Sequence, residues 1–304
     1  MKLINPEVRI ETTSLCQANC TICPRDKMTR RKCTMSNEHF RRLVDESISL
    51  GANEISLFGY GEPLMDKMLW IKLVHCFDMG TNITTNAALL DKNASNILIT
   101  SGLKRIRFSA HGFGKNYENV HKWLRWNEFL NNINGFIETN EKFGHSCITE
   151  VSVIPMHGET VEEIRNFWEP MVDFLEIWKP HNWTDGKKFR PTARKKKTCG
   201  RPFRGPVQIN ADGMMMVCCF DYDAKLTVGN THENSIQEIL GGEKFQKIRE
   251  AHRTGNLDGL ICQTCDQLNI EEQSPLLYSN RDPEMKIGKT SSTKFNLEVQ
   301  NGTN

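Results

Sequence analysis

The chain has 304 residues, of which 38% are apolar and 25% charged, and a formal charge of +2 at pH 7. That length suits one large α/β unit with a small appendage and a sizeable core. The near-neutral charge argues against a dedicated nucleic-acid binder. No run approaches about eighteen apolar residues, and the opening MKLINPEVRIE lacks the apolar stretch of a signal peptide. A cytoplasmic, reducing location with no membrane partner is expected. Eleven cysteines there point to metal rather than to disulfides.

In chain order, EVRIETT reads as a strand that delivers a loop carrying Cys16, Cys20 and Cys23. MSNEHFRRLVDESISLG reads as a helix ended by Gly51, and NEISLFGYGEP as the next strand with its loop. PLMDKMLWIKLVHCFDMG predicts a helix, then TNITTNA and SGLKRIRFSAHG predict strands. KWLRWNEFLNNINGFIETNEK follows as a helix and TEVSVIPM as a strand. TVEEIRNFWEPM is a helix capped by Thr160, and VDFLEIWKPHNW closes the series as a strand. The order is that of about six β-then-α units, an α/β chain forming a partial (β/α)6 TIM-like barrel. Chemistry in such folds sits at the C-terminal ends of the strands. Residues 16–23, 59–63, 86, 109–112 and 181–183 fall at those ends.

Past residue 185 the texture changes. TDGKKFRPTARKKKTCGRPFRGP reads as a polar crossover, with its RKKK run as a solvated loop. VQINADGMMMVCCFD reads as a hairpin turning at ADG, SIQEILGGEKFQKIREAHRTG as helical, and LICQTC follows. The expected layout is a barrel over 1–184, a small α+β cluster domain over 185–269 and an extension over 270–304. The end of that extension, GKTSSTKFNLEVQNGTN, reads as a frayed tail.

Three thiolates from one short loop do not complete a zinc tetrahedron. They suit a [4Fe–4S] cluster held at three irons, with the fourth iron open to a ligand that is not protein. CxxxCxxC after the first strand of such a barrel resembles the signature of the radical S-adenosylmethionine (radical SAM) superfamily. The resemblance covers residues 8 to about 183. It implies that the open iron takes the methionine amine and carboxylate of S-adenosylmethionine. One electron then breaks the C–S bond, and the resulting 5′-deoxyadenosyl radical abstracts a substrate hydrogen. It further implies that GYGEP, with Gly59, Gly61, Glu62 and Pro63, receives the methionine ammonium. Asn86 and Ser109 stand where the family places partners of the methionine carboxylate or the ribose. Ile22 replaces an aromatic residue that often lies near the adenine. An external one-electron reductant such as flavodoxin or ferredoxin is implied as well.

Cys199, Cys218, Cys262 and Cys265 suit either zinc or a fully ligated cluster, and spacing alone does not choose. Gly213, separated from Cys218 by four residues and followed later by CxxC, resembles the twitch type of the SPASM cluster domain. That implies one auxiliary [4Fe–4S] cluster on those cysteines. Strand alternation would let only one of Cys218 and Cys219 reach it, and the glycine spacing favours Cys218. The layout is similar to the aminocyclitol (2-deoxy-scyllo-inosamine) dehydrogenase type. This implies a two-electron oxidation of a small polar metabolite, with the auxiliary cluster as electron acceptor. A peptide-modifying enzyme is the alternative; with the cysteine loop starting at residue 16, no peptide-binding domain is expected before it, which counts against leader-dependent peptide work without excluding it. RNA modification is a minor alternative. At the last barrel strand, Lys179, His181, Asn182 and Trp183 are substrate candidates. His181 is the candidate proton acceptor, because an imidazole titrates near neutrality. His111 is the second catalytic candidate, and Arg25 a partner for the cofactor or an anionic substrate.

Overall fold

The computed structural model describes residues 1–269 and 275–280. The elements run β1 (Glu7–Ile10), α1 (Asn37–Ser49), β2 (Glu54–Leu57), α2 (Leu69–His75), β3 (Gly80–Thr85), α3 (Lys92–Thr100) and β4 (Arg105–Ser109). They continue as α4 (Lys115–Val120), α5 (Trp126–Lys142), β5 (Ile148–Val153), α6 (Val161–Trp168) and β6 (Phe174–Ile177). Then come α7 (Arg201–Arg204), β7 (Val207–Ile209), β8 (Met214–Met216), β9 (Thr227–Asn230), α8 (Ile236–Gly241), α9 (Glu243–Thr254) and β10 (Leu276–Ser279).

Two compact units divide the chain. Among the described residues, one holds Met1–Cys16, Cys23–Asn82 and 181–269; the other holds Gln17–Ile22, Ile83–Pro180 and β10. In the first unit β1 pairs in parallel with β2 on one side and with β7 on the other, in the registers Val8↔Ile55 and Val8↔Val207. β7, β8 and β9 follow as antiparallel neighbours. The hairpin expected at ADG is the β7–β8 turn, where Gly213 takes a φ of 83°; β9 adds a strand beyond that hairpin. In the second unit β4, β5 and β6 are parallel, with Phe108↔Val151↔Leu175 in register, and β10 joins β6 antiparallel.

Side-chain caps open α1, α6 and α8. Ser36 accepts the His39 N–H to open α1, whose Phe40, Leu43 and Val44 are buried. Thr160 and Glu163 form a reciprocal capping box on α6, and Ser235 and Glu238 do so on α8. Three expected helices are shorter or broken. Asp66 interrupts the one expected from Pro63 onward: its carboxylate accepts from Met68 N–H at 3.0 Å and from Lys72 Nζ at 2.5 Å. α5 begins at Trp126 rather than Lys122, because the Val120 and Lys122 carbonyls accept N–H groups from the cysteine loop. The third breaks at Gly242, whose extended backbone separates α8 from α9.

Alternating apolar residues of the strands supply both cores: Val8, Ile10, Ile55 and Leu57 in the first unit, Ile106, Phe108, Val151 and Leu175 in the second. The expected frayed tail lies outside the described residues. No helix among the described residues is long and apolar enough to cross a membrane.

Candidate functional site

Glu11, just past β1 in the first unit, is buried and serves as a hub. Its carboxylate accepts two hydrogen bonds from Arg30 at 2.8 and 2.7 Å, one from Tyr60 N–H at 2.7 Å and one from Ala211 N–H at 3.0 Å. One side chain thus ties the segment after the cysteine loop to the GYGEP loop and the β7–β8 turn. Both glycines of GYGEP answer to close approach. A Cβ on Gly59 would stand 2.5 Å from the Glu11 side chain, and one on Gly61 would stand 1.9 Å from Thr13 O. Gly61 thereby allows Glu62 N–H to reach Leu15 O at 2.7 Å. Glu62 itself is buried, and its carboxylate accepts from Leu64 N–H at 3.1 Å, capping the turn Pro63–Met65.

Arg25 Nη1 bridges the same two segments, donating to Ser14 O at 2.5 Å and Tyr60 O at 2.9 Å. Burial pushes the Cys23 thiol up to about 11, and the neighbouring Cys16 adds to that push. A buried thiol that resists ionisation beside a second cysteine suits a cationic metal centre, which reverses the penalty.

The second unit holds Cys20, the buried Ile22, Asn86, Ser109 and His111. Asn86 Oδ1 accepts from Gln17 Nε2 at 2.9 Å and from Ala88 N–H at 3.1 Å. Ser109 closes β4 and stands in register with Ser152, which is in register with Glu176. His111 Nδ1 accepts the Ile154 N–H at 3.0 Å, and the His111 main-chain N–H donates to His121 Nε2 at 3.2 Å. Burial lowers both imidazoles, His111 to about 3, so both rings are neutral near pH 7. His121 Nδ1 lies 3.3 Å from Cys20 Sγ. No motif singled out His121, and its titratable type was the only sign in the sequence. Lys179 is exposed just past β6.

In the first unit Cys199, Cys218, Cys262 and Cys265 line one cavity together with Arg201 and His252. Burial raises the Cys262 thiol, with Cys199 and Cys265 adding to the rise, and it pushes Cys265 up to about 12. His252 Nδ1 meets Thr198 Oγ1 at 2.9 Å, while its buried Nε2 has no hydrogen-bond partner. An orphaned imidazole nitrogen and mutually repelling thiols on one cavity fit a cationic guest with acceptor atoms. Among the described residues no three His, Cys, Asp or Glu side chains are grouped to hold a single metal ion. Cys199, Cys218, Cys262 and Cys265 line one cavity, and four thiolates around one space suit zinc or a fully ligated cluster.

Cys218 and Cys219 lie in a turn beyond β8, so strand alternation does not distinguish them. What distinguishes them is placement: Cys218 lines the cavity. Cys219 Sγ meets Arg201 Nη1 at 3.1 Å, and its carbonyl accepts from Tyr60 Oη at 2.7 Å. The hydrogen bond with Cys218 lowers the Cys219 thiol first, and Arg201 and Arg9 lower it further.

His181 packs against Trp183 and Phe220, with ring centres 4.2 and 4.4 Å apart. Burial lowers it to about 4, although Asp266 opposes the shift. The Asn182 side chain organises a loop: Oδ1 accepts from Phe189 and Arg190 N–H at 2.8 and 3.1 Å, and Nδ2 donates to Arg190 O at 2.8 Å. Trp183 and Thr184 take φ values of 51° and 59°, two successive left-handed residues that are not glycine. Strain of this kind concentrates at functional sites.

Residues 10–169 match the radical SAM superfamily, and residues 199–266 match SPASM, an iron–sulfur cluster-binding domain. The chain is 25% identical over 165 residues to a probable GTP 3′,8-cyclase of Methanothermobacter thermautotrophicus, covering 53% of this chain and 52% of that one. It therefore spans about half the length of that relative. It is 22% identical over 284 residues to the S-adenosyl-L-methionine-dependent 2-deoxy-scyllo-inosamine dehydrogenase of Niallia circulans, covering 89% of this chain and 96% of that one. Among solved structures, BtrN in complex with AdoMet and 2-DOIA is similar with a TM-score of 0.63 at 17% identity, over 90% of this chain and 97% of that one. Streptococcus suis SuiB bound to precursor peptide SuiA is similar with a TM-score of 0.67 at 15% identity, over 87% and 70%. These likenesses show the fold class, an α/β partial barrel of the TIM-like kind with a C-terminal cluster domain.

Proposed function

We propose that this chain, which belongs to the radical SAM superfamily, oxidises a secondary alcohol of a small polar metabolite, a cyclitol or a sugar, by two electrons. It is an enzyme whose cofactors are S-adenosylmethionine and two iron–sulfur clusters. The reading is carried by the near end-to-end likeness to a cyclitol dehydrogenase, over 89% of this chain and 96% of that one. Bound, these cofactors supply a hydrogen-abstracting adenosyl radical and a one-electron acceptor.

In this reading Cys16, Cys20 and Cys23 ligate the cluster that binds S-adenosylmethionine, within a barrel domain over residues 1–184. Gly59, Gly61, Glu62, Pro63, Ile22, Asn86 and Ser109 receive S-adenosylmethionine. Cys199, Cys218, Cys262 and Cys265 ligate the auxiliary cluster in a domain over residues 185–269. His181, neutral through burial, takes the hydroxyl proton of the substrate, and Trp183 sets the face of its ring. Arg25 and Asn182 hold the loops that border their sites, and Lys179 offers a cation to a polar substrate. A small one-electron carrier protein supplies the reducing electron.

The test is turnover of anaerobically reconstituted protein with S-adenosylmethionine, dithionite and aminocyclitols deuterated at the carbinol carbon, 2-deoxy-scyllo-inosamine first. The expected result is one 5′-deoxyadenosine and one methionine per ketone formed, with deuterium in the nucleoside. A second reading, peptide modification, is favoured by the likeness to SuiB bound to its precursor peptide. Deuterium transfer from labelled peptides, with none from any cyclitol, would replace the first reading by the second.

A further inference from the structure

Cys20 belongs to the part of the cysteine loop held by the second unit, and a second segment clasps it there. Asn19 N–H donates to Lys122 O at 3.4 Å and Thr21 N–H donates to Val120 O at 2.8 Å. Hydrogen bonds from the residues on either side leave Cys20 opposite His121, as in a cross-strand pair. His121 Nδ1 accordingly lies 3.3 Å from Cys20 Sγ.

The direction of that contact follows from the other ring nitrogen. His121 Nε2 accepts the His111 main-chain N–H at 3.2 Å, so it carries no proton. A neutral imidazole keeps its one ring proton on the remaining nitrogen, so Nδ1–H points at the sulfur. The ring cannot easily turn over. It stacks on His111 with centres 5.0 Å apart and planes 7° apart, and on Tyr117 with centres 4.3 Å apart. His111 is pinned in turn by the Ile154 N–H. With His121 only 1% exposed, no bulk water competes for the proton.

We propose that His121 is a positioning residue that donates a hydrogen bond from Nδ1 to the Cys20 thiolate and so raises the reduction potential of the cluster that Cys20 ligates. The inference rests on the reading of Cys20 as a ligand. Reduction adds negative charge that spreads onto the ligand sulfurs, and a fixed donor stabilises the reduced state more than the oxidised one. The donor is neutral, so it tunes the sulfur without placing a full charge in a dry site.

The experiment is an EPR-monitored redox titration with iron analysis on holoenzyme, comparing wild type, His121→Leu and His121→Asn. Leucine keeps the bulk without the donor, whereas asparagine can place an amide N–H near the Nδ1 position. Expected is full iron in the leucine variant, a more negative midpoint for the cluster that binds S-adenosylmethionine, an unmoved auxiliary cluster, and recovery with asparagine. Equal midpoints at full iron overturn the inference and leave the ligand reading standing. A Cys20→Ala variant that keeps all its iron sinks the ligand reading instead. If the leucine variant fails to load, pulsed EPR of a His252→Leu variant containing 15N-histidine decides, since His252 lines the auxiliary cavity and would otherwise contribute its own nitrogen. A histidine nitrogen coupled to the reduced cluster is expected, and its absence overturns the inference.

Discussion

Glu11 and Arg30 form a two-point ion pair that is nearly closed to water, their side chains 2% and 5% exposed. Burial works to lower the Arg30 guanidinium pKa, and Glu11 more than reverses that, so the guanidinium stays charged. Removing one partner of a buried pair strands the other charge, at a cost of roughly 3–5 kcal/mol. Glu11→Gln is therefore expected to lower unfolding stability by about that amount. Urea denaturation of the single variants and of Glu11→Gln/Arg30→Met measures it. The double variant is expected to lose less than the sum of the singles, because neither charge is left alone.

Gly61→Ala has a narrower consequence. Its new methyl would overlap Thr13 O, at 1.9 Å, and main-chain atoms cannot rotate away as a flexible side chain could. The Glu62 N–H to Leu15 O bond at 2.7 Å is expected to break, moving the GYGEP loop off the segment that leads to Cys16. Equilibrium dialysis with S-adenosylmethionine is expected to show affinity reduced at least about tenfold, equivalent to about 1.4 kcal/mol. Unchanged affinity would mean that this loop does not shape the binding site.

Some of this was legible from local rules. Thr160 marks a helix start, and the structure adds Glu163 as its capping-box partner. The ADG turn needs its glycine at a φ of 83°. Helix α3 is not legible by periodicity because Ile97, Leu98 and Ile99 are contiguous rather than spaced at helical period, although Asp91 caps it by accepting from Ala94 N–H. The cysteine trio was readable because its ligand spacing is local. The Cys20–His121 contact, 101 residues apart in sequence, and the Glu11 hub were not, because tertiary pairing alone creates them.

The auxiliary site yields a comparison between adjacent residues. Cys218 lines the four-cysteine cavity, whereas Cys219 faces Arg201. After anaerobic reconstitution, Cys218→Ala is expected to fall from about 8 irons per chain to about 4, and Cys219→Ala to keep about 8. Iron analysis with Mössbauer spectroscopy reads both. The reverse pattern would exchange their assignments.

Glu176, on β6, gives a pH signature that can be isolated. Burial, reinforced by neighbouring Glu150, raises its carboxyl to about 7, although Arg107 at 3.4 Å pulls the other way. A group raised in the folded state contributes stability that is fully present below its unfolded pKa, about 4.5, and is lost as pH rises through about 7. His111 and His181 are lowered to about 3 and about 4, so their contribution is present above about 6.5 and lost as pH falls. The two effects overlap, and wild type alone cannot separate them. Glu176→Gln can, since the amide still accepts from Trp178 Nε1, now 2.9 Å from the carboxylate, and donates towards Glu150 as the protonated acid does. Between pH 4.5 and 8, wild type is expected to lose on the order of 2 kcal/mol relative to Glu176→Gln, while the histidine contribution cancels in the difference. Urea titrations of both proteins at matched pH measure this. A pH-independent difference would mean that Glu176 is already ionised in the folded protein at the acid end.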